Sequence, residues 1–276
     1  MKIDSKTKII ARFHKQESPR GLNIYNPYFE EVGINAIYTL FYNPDPSVLI
    51  NGFRSLNLPG AITAGFESDE VLPKLLDEID DTAKFVGKIG YITNNSGKVT
   101  GHSQGGLGML RTIKSISNLN NKHLVIAGAG NVTKGLLFEI EKEGLACKVS
   151  IYNRDLEKAI NLKDRFKFVE SVESFNKIGK SSGDIFVNLT DIGGSVLDYE
   201  FSKEMINRFS HIVDVTFERE DTKLVNDARS SGKIVATGWD MFTYQAQVCI
   251  EGLLGISADP VVLKRHVSAG LSETVT

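Results

Sequence analysis

Cysteine is scarce in this 276-residue chain. Cys147 and Cys249 are its only two, far apart and in apolar surroundings, which reads more naturally as a reduced, intracellular protein than as a disulfide framework. Long apolar runs are missing as well. No stretch approaches the about 20 residues needed to cross a bilayer, and "MKIDSKTKII" has neither the apolar core nor the small-residue cleavage site of a secretory signal. A soluble cytoplasmic protein with no membrane partner is expected. Charge of one sign is not in excess: 32 Lys and Arg stand against 34 Asp and Glu, for a net charge of -2. No basic block is gathered anywhere, which argues against a nucleic-acid or polyanion partner. Internal repeats and low-complexity segments are absent too.

What is present is an alternation of short β-branched runs with helical spacings, the mark of parallel sheets covered by helices. The length favours two domains, with one large α/β domain as the rival. "KIIARF", "AIYTLFY" and "GAITAG" read as strands. "YNPYFEEVG", "DPSVLINGFRSL" and "VLPKLLDEI" read as helices, the second opened by an Asp cap and a first-turn Pro. "KIGYITN" and "KVTGHS" form a strand pair around "NSG", whose Asn and Gly suit a tight turn. A helix is predicted from Gly105 to Ile116. A second series begins at His123 and ends in two apolar-periodic helices, from Met241 and around Pro260.

Two glycine loops stand out. "TGHSQGGLGML", Thr100 to Leu110, holds neither a carboxylate nor a lysine. "HLVIAGAGNVTKGLLFEI" puts a strand, a Gly-x-Gly turn and a helix in succession, the context a dinucleotide motif requires. Gly128 permits the tight turn, Gly130 lets backbone approach a pyrophosphate, and Asn131 and Val132 open a helix whose N-H groups and dipole favour an anion. Thr133 takes the place of the third glycine, so close helix packing is expected to suffer slightly. The next strand ends in Asn153, Arg154 and Asp155. Arg154 favours NADP over NAD, while Asp155 either opposes the extra phosphate or caps the following helix.

In this order the motifs resemble the shikimate dehydrogenase family over nearly the whole chain. "YNPYFEEVGINAIYTLFY" is similar to its His-Asn helix and strand, with Asn26 on the Asn and Tyr25 in place of the His. "GFRSLNLPGAITAGFES" looks like the segment with the catalytic lysine. "VIAGAGN", "YNR", "VNLT" and "GWDMFTYQA" resemble its phosphate loop, its NADP-phosphate clamp, its nicotinamide-side threonine stretch and its closing motif. The resemblance implies an α/β fold of two domains with a cleft between them: a substrate domain, residues 1–104 completed by 242–276, and a Rossmann-like NAD(P)-binding domain, residues 105–241. It implies NADP as cofactor, with NAD the alternative, and a small hydroxy acid as substrate. A monomer or homodimer is expected.

The same overlay puts Thr63 on the family's Thr, Gly65 on its Pro and Glu67 on its catalytic lysine. Ser103, Gln104, Gly105 and Gly106 fall on its Asn-Thr-Asp-Gly, so Gly105 stands where the catalytic Asp does. Gly90 replaces a substrate-binding Asn, and Phe217 a tyrosine. The serine pair has no clean match: Ser18 and Pro19 lie too far before Asn26. Gln245 survives, and Gln245, Asn26 and Gln104 are the substrate-side candidates. Thr190, Gly238 and Met241 complete the cofactor side. Trp239 adjoins that motif, and Asp191 and Asp240 lie near strand ends without a named partner.

Oxidising an alcohol requires a proton acceptor, worth about 3–5 kcal/mol of barrier. Glu67 with a raised pKa and His102 are the candidates, against plain surface roles for each. Lys15, Ser18 and Arg20 of "HKQESPR" form either an anion-binding loop or a solvated one. Two functional readings compete: a dehydrogenase with an altered proton relay, or a dinucleotide-binding pseudoenzyme with a regulatory or binding role. A related dehydrogenase acting on a folate-like substrate also expects a cleft lysine and gains nothing from the sequence.

Overall fold

Apolar residues with period two lay down strand β1 at Lys8–His14, which puts Ala11 and Phe13 on one face and Arg12 and His14 on the other. The computed structural model describes residues 3–17, 21–66, 69–192, 200–217 and 221–272. Helix α1 (Leu22–Glu31) is entered through Gly21 at φ 94, and strand β2 (Ala36–Tyr42) follows. Asn26 binds the two together. Its Nδ2 donates to the Tyr38 carbonyl at 3.0 Å and its Oδ1 accepts from the Tyr38 N-H at 2.7 Å. Helix α2 (Pro46–Ser55) starts as predicted, with Pro46 in the first turn and the Asp45 carboxylate accepting from the Ser47 N-H at 2.8 Å.

Strand β3 (Gly60–Ile62) is followed by a correction to the sequence reading. "VLPKLLDEI" is not a helix but a 3-10 turn, Leu72–Leu75, and a short strand β4 (Glu78–Ile79). The cause is remote: Arg54 takes the Leu75 carbonyl at 3.0 Å and the Asp77 carboxylate at 2.8 Å, which draws the chain out of the helical path. Helix α3 (Asp81–Val86) is capped by Asp80, and strands β5 (Tyr91–Asn95) and β6 (Lys98–His102) make a hairpin. Its two-residue loop has Ser96 at φ 54 and Gly97 at φ 92, the left-handed pair that a tight hairpin turn needs. The sheet order is β2-β1-β3-β5-β6-β4. Alternation alone predicts a parallel sheet, but β5 runs antiparallel to β3 and also to β6, the latter because a two-residue loop can only reverse the chain.

Helix α4 (Gly105–Lys114) leads to β7 (His123–Ala127), α5 (Asn131–Lys142), β8 (Lys148–Asn153), α6 (Leu156–Arg165), β9 (Val169–Ser174) and β10 (Ile185–Asn188). Then come α7 (Lys203–Ile206), β11 (His211–Asp214), α8 (Lys223–Ser230), β12 (Ile234–Thr237), α9 (Gly238–Leu254) and α10 (Pro260–Ser272). The second sheet is all parallel, in the order β12-β11-β10-β7-β8-β9. Numbered from its own first strand this is 3-2-1-4-5-6, the doubly wound dinucleotide-binding topology, whose order reverses between β7 and β10. Val125, Ala127, Phe186, Phe209 and Ile212 fill its core on one side.

The chain divides into unit 1, Met1–Gly105 with Gln245–Thr276, and unit 2, Gly106–Tyr244. In unit 1, α10 lies on α1: a Cβ on Gly270 would come within 2.5 Å of the Asn23 carbonyl, and His266 meets Glu31 at 2.7 Å. A second core, built on Phe13, Phe53, Phe66 and Ile92, fills the other face of that sheet. Among the described residues no helix is long and apolar enough to cross a membrane.

Candidate functional site

In unit 2 the turn after β7 lies where the strand order reverses, the place an open α/β sheet offers to a ligand. Gly128 takes φ 106 there, and a Cβ on it would lie 2.8 Å from the Leu189 carbonyl beyond β10. Only glycine passes. Gly130 is the N-cap of α5 and supplies no side-chain hydrogen bond, and a Cβ on it would meet nothing within 4 Å. Asn131 and Val132 open the helix, half-buried. Bare glycine, open space and an uncapped helix start of twelve residues suit the oxygens of a pyrophosphate.

Thr133 corrects the expectation of loosened packing. It is fully buried, and its hydroxyl donates to the Gly128 carbonyl at 2.9 Å, so it locks the turn. The close helix approach is made elsewhere, between Gly106 of α4 and Gly135 of α5, where a Cβ on Gly106 would lie 2.2 Å from the Gly135 carbonyl carbon.

At the end of β8, Asp155 takes the capping role. It is the N-cap of α6, accepting from the Lys158 N-H at 3.3 Å and pairing with the Lys158 ammonium at 3.5 Å. Asn153 accepts from the Ala129 N-H at 3.2 Å and donates to the Asp155 carbonyl at 2.7 Å, which ties the glycine turn to that cap. Arg154 stands exposed between them.

Thr190 does not present a free hydroxyl. It donates to Asn188 Oδ1 at 2.6 Å, and Asn188 Nδ2 in turn donates to Asp214 Oδ1 at 2.9 Å. Asp214 Oδ2 accepts from the Thr222 hydroxyl, which closes a buried polar network over the ends of β10 and β11. Gly238 opens α9 where a Cβ would lie 2.8 Å from the Thr216 carbonyl. Asp240 reaches back to the Thr237 N-H at 2.8 Å as a cap, and Met241 is buried. Phe217, Trp239 and Phe242 gather beside them, with ring centroids 4.8 and 5.9 Å from Phe217. Asp191 is exposed.

In unit 1 the C-terminal ends of β1, β3 and β6 share one edge with the residues that lead into β5. His102 is fully engaged there: Nδ1 lies 2.8 Å from Asp80 Oδ2, Nε2 lies 2.9 Å from the Thr93 hydroxyl, and the ring stacks on Tyr91 at 4.8 Å. It holds β5, β6 and the α3 cap together, with both nitrogens in hydrogen bonds. Asn26 is likewise spent on Tyr38, as a tie of the fold. Tyr25 stacks on Tyr38 at 4.5 Å, and burial pushes its phenol well above 10.0, so it stays protonated.

Gln104 shows a different relation. A Cβ on Gly90 would lie 1.6 Å from its Oε1 and 2.6 Å from its Nε2, so the carboxamide occupies the space over Gly90. Ser103 precedes it, half-buried. Gly105, next in sequence, faces open space, with nothing within 4 Å of a Cβ. Gln245 is half-buried on α9. Lys15 pairs with Asp69 at 3.5 Å and lies over the Phe66 ring. Glu67, Ser18, Pro19 and Arg20 lie outside the described residues. Among the described residues no group of three or more His, Cys, Asp or Glu is placed to hold a metal ion.

No family model matches the chain. Among curated proteins, the shikimate dehydrogenase (NADP(+)) of Aquifex aeolicus (strain VF5) is 31% identical over 225 residues, which cover 80% of this chain and 81% of that one. The chain belongs to the shikimate dehydrogenase family. It is an oxidoreductase of that family by descent, and the shikimate dehydrogenase (NADP(+)) of Pyrococcus furiosus is 27% identical over 91% of each chain. The two-domain shikimate dehydrogenase fold is shared with a solved shikimate 5-dehydrogenase-like protein at a TM-score of 0.83, with 21% identity over 98% of this chain and 100% of that one.

Sequence reasoning missed the Asn188–Asp214–Thr222 network, the Thr133 lock and the seat of Gln104 on Gly90. The first carries a faint signal, Asn188 and Asp214 at the ends of apolar strands, and the second a Thr where the third glycine of the motif would stand. The third carries none, because the partners are fourteen residues apart and meet only across the hairpin.

Proposed function

We propose that the chain is an NADP-dependent oxidoreductase acting on a small hydroxy acid, shikimate-like or another, with unit 2 binding the dinucleotide and unit 1 the acid. The observation that carries this is the β7 turn: Gly128 against the end of β10, open space over Gly130, and the α5 N-terminus, with Arg154 exposed at the end of β8. When bound, NADP supplies the hydride acceptor for the alcohol carbon.

This chain's own residues divide the remaining work. The α5 start, through Gly130, Asn131 and Val132, receives the pyrophosphate, and Arg154 takes the ribose phosphate as a two-pronged donor. Asp155, held as a cap, has the Lys158 ammonium at 3.5 Å to offset part of its charge. Gly238 and Met241, with the Thr190 turn, border the nicotinamide side. On the acid's side the Gln104 carboxamide, able to donate and accept at once, reads a hydroxyl, and Gln245 a second polar group.

A second reading has its own observation. Gly105 offers no acid where the family has one, which favours a protein that binds NADP without turning over. Titration of NADPH fluorescence, then a screen of shikimate, quinate and other hydroxy acids with NADP, separates the two. Saturable binding with turnover of one acid is the expected result. Binding with no turnover selects the pseudoenzyme, and no binding rejects both.

A further inference from the structure

We propose that His14 is the group that takes up the proton of the substrate hydroxyl. The inference rests on the oxidoreductase reading above and supplies what that reading lacks. The Phe66 N-H donates to the Thr63 carbonyl at 3.0 Å, closing a turn in which Gly65 takes φ 86, a conformation that suits glycine. The His14 ring is seated on that bare glycine: a Cβ there would lie 3.1 Å from both its Cδ2 and its Nε2. A side chain at position 65 would be strained at that φ and would press on the ring, which would have to shift by a few tenths of an ångström.

The two nitrogens are in different situations. Nδ1 lies 2.7 Å from the Gln16 carbonyl and 3.2 Å from the Gln16 N-H. The shorter contact assigns the proton to Nδ1, which leaves Nε2 as the acceptor, with no hydrogen-bond partner among the described residues. His14 is half-buried at the end of β1, and β1 pairs with β3 in parallel, so the ring lies at the sheet edge that also holds Gly90 and Gln104. The Thr63 N-H donates to the Gly90 carbonyl at 3.0 Å, which makes the two glycine seats neighbours.

Among the described residues, the other groups at this edge have partners of their own or no side chain. His102 uses both nitrogens, Tyr25 is buried with its phenol raised, Gly105 has no side chain, and Lys15 and Asp69 hold each other. A neutral imidazole also suits the step better than a carboxylate, since it brings no negative charge against a developing alkoxide. In the oxidation the C–H bond breaks with its electron pair leaving as hydride to NADP. The O–H bond breaks with its proton going to His14 Nε2, the C=O bond forms, and the imidazolium returns its proton to water.

The test uses the full chain and whichever acid of the shikimate and quinate panel it turns over. H14N keeps a donor for the Gln16 carbonyl and removes Nε2. Turnover should fall about 100- to 10,000-fold with NADPH affinity unchanged, and added imidazole should restore part of it. Independently of activity, the 15N resonance of His14 Nε2 in the parent protein should move when the acid is added, which keeps the proposal testable if H14N misfolds. Full activity in H14N, or an Nε2 resonance that ignores the acid, overturns this inference alone. A parent chain that binds NADPH and turns over no acid overturns the oxidoreductase reading together with it.

Discussion

Single residues carry the cofactor choice. Arg154 is exposed while its neighbour Asp155 is locked into a helix cap, so the guanidinium is the charge available at the end of β8. Arg154→Ala should weaken NADPH about ten- to a hundredfold, the value of a charge-assisted contact of about 1.5–3 kcal/mol, and NADH by far less. Fluorescence titration of both nucleotides reads this, and equal weakening would show that Arg154 does not bind the phosphate. Gly105 gives a second expectation at this scale. Open space above it admits an Asp, so E67K with G105D should raise shikimate oxidation above the parent's level in a steady-state assay. No gain would mean that the surrounding pocket has been remodelled for another acid. Glycines 128 and 130 were legible in the sequence because strand, turn and helix are local. His14 was not, because its seat is made by a turn fifty residues away.

At the scale of elements, what the sequence conceals is whatever a distant side chain decides. Asp45 before Pro46 announces α2, and "NSG" announces the hairpin, since both signals act within a few residues. The helix read into "VLPKLLDEI" fails because Arg54 claims the Leu75 carbonyl from another element. Strand β9 escapes notice for a different reason. It lies at the sheet edge, and its sequence "VESVES" buries only Val169 fully, so it lacks the apolar run of an interior strand. Helix contact is equally hidden: nothing local says that Gly106 must meet Gly135. A methyl there would press on backbone at 2.2 Å, with no flexible side chain to yield. Gly106→Ala should therefore cost unit 2 about 1–3 kcal/mol or more, seen as a lower urea midpoint at unchanged slope. An unshifted midpoint would refute the close crossing.

For the molecule as a whole, each unit holds one buried thiol. Burial pushes Cys147 in unit 2 up to about 11 and Cys249 in unit 1 up to about 12, from an ordinary 9.0. A raised value means that the folded state holds the proton more tightly than the unfolded chain does. The resulting stability is complete below pH 9.0 and is lost as pH climbs through the folded values. Thermal midpoints should therefore decline above pH 9.0, and less so in C147S and C249S. At neutral pH a thiol reagent should label neither cysteine before unfolding, and each single variant then reports the loss of one unit. Rapid labelling of the native protein would contradict the burial. The two-unit plan itself was legible from the family resemblance and the β5–β6 reversal from its turn, whereas the antiparallel pairing of β5 with β3 was not, because alternation does not reveal strand direction.

Unit 1 draws its residues from both ends of the chain, and α10 closes against α1 from more than two hundred positions away. During synthesis the first hundred residues emerge with α1 still waiting for a partner helix that is made only after unit 2. Unit 2, continuous in sequence, has all its strands available by then. The order of birth is thus opposite to the order of completion, and a nascent chain arrested before α10 would expose the apolar side of α1 to whatever chaperone guards the exit tunnel.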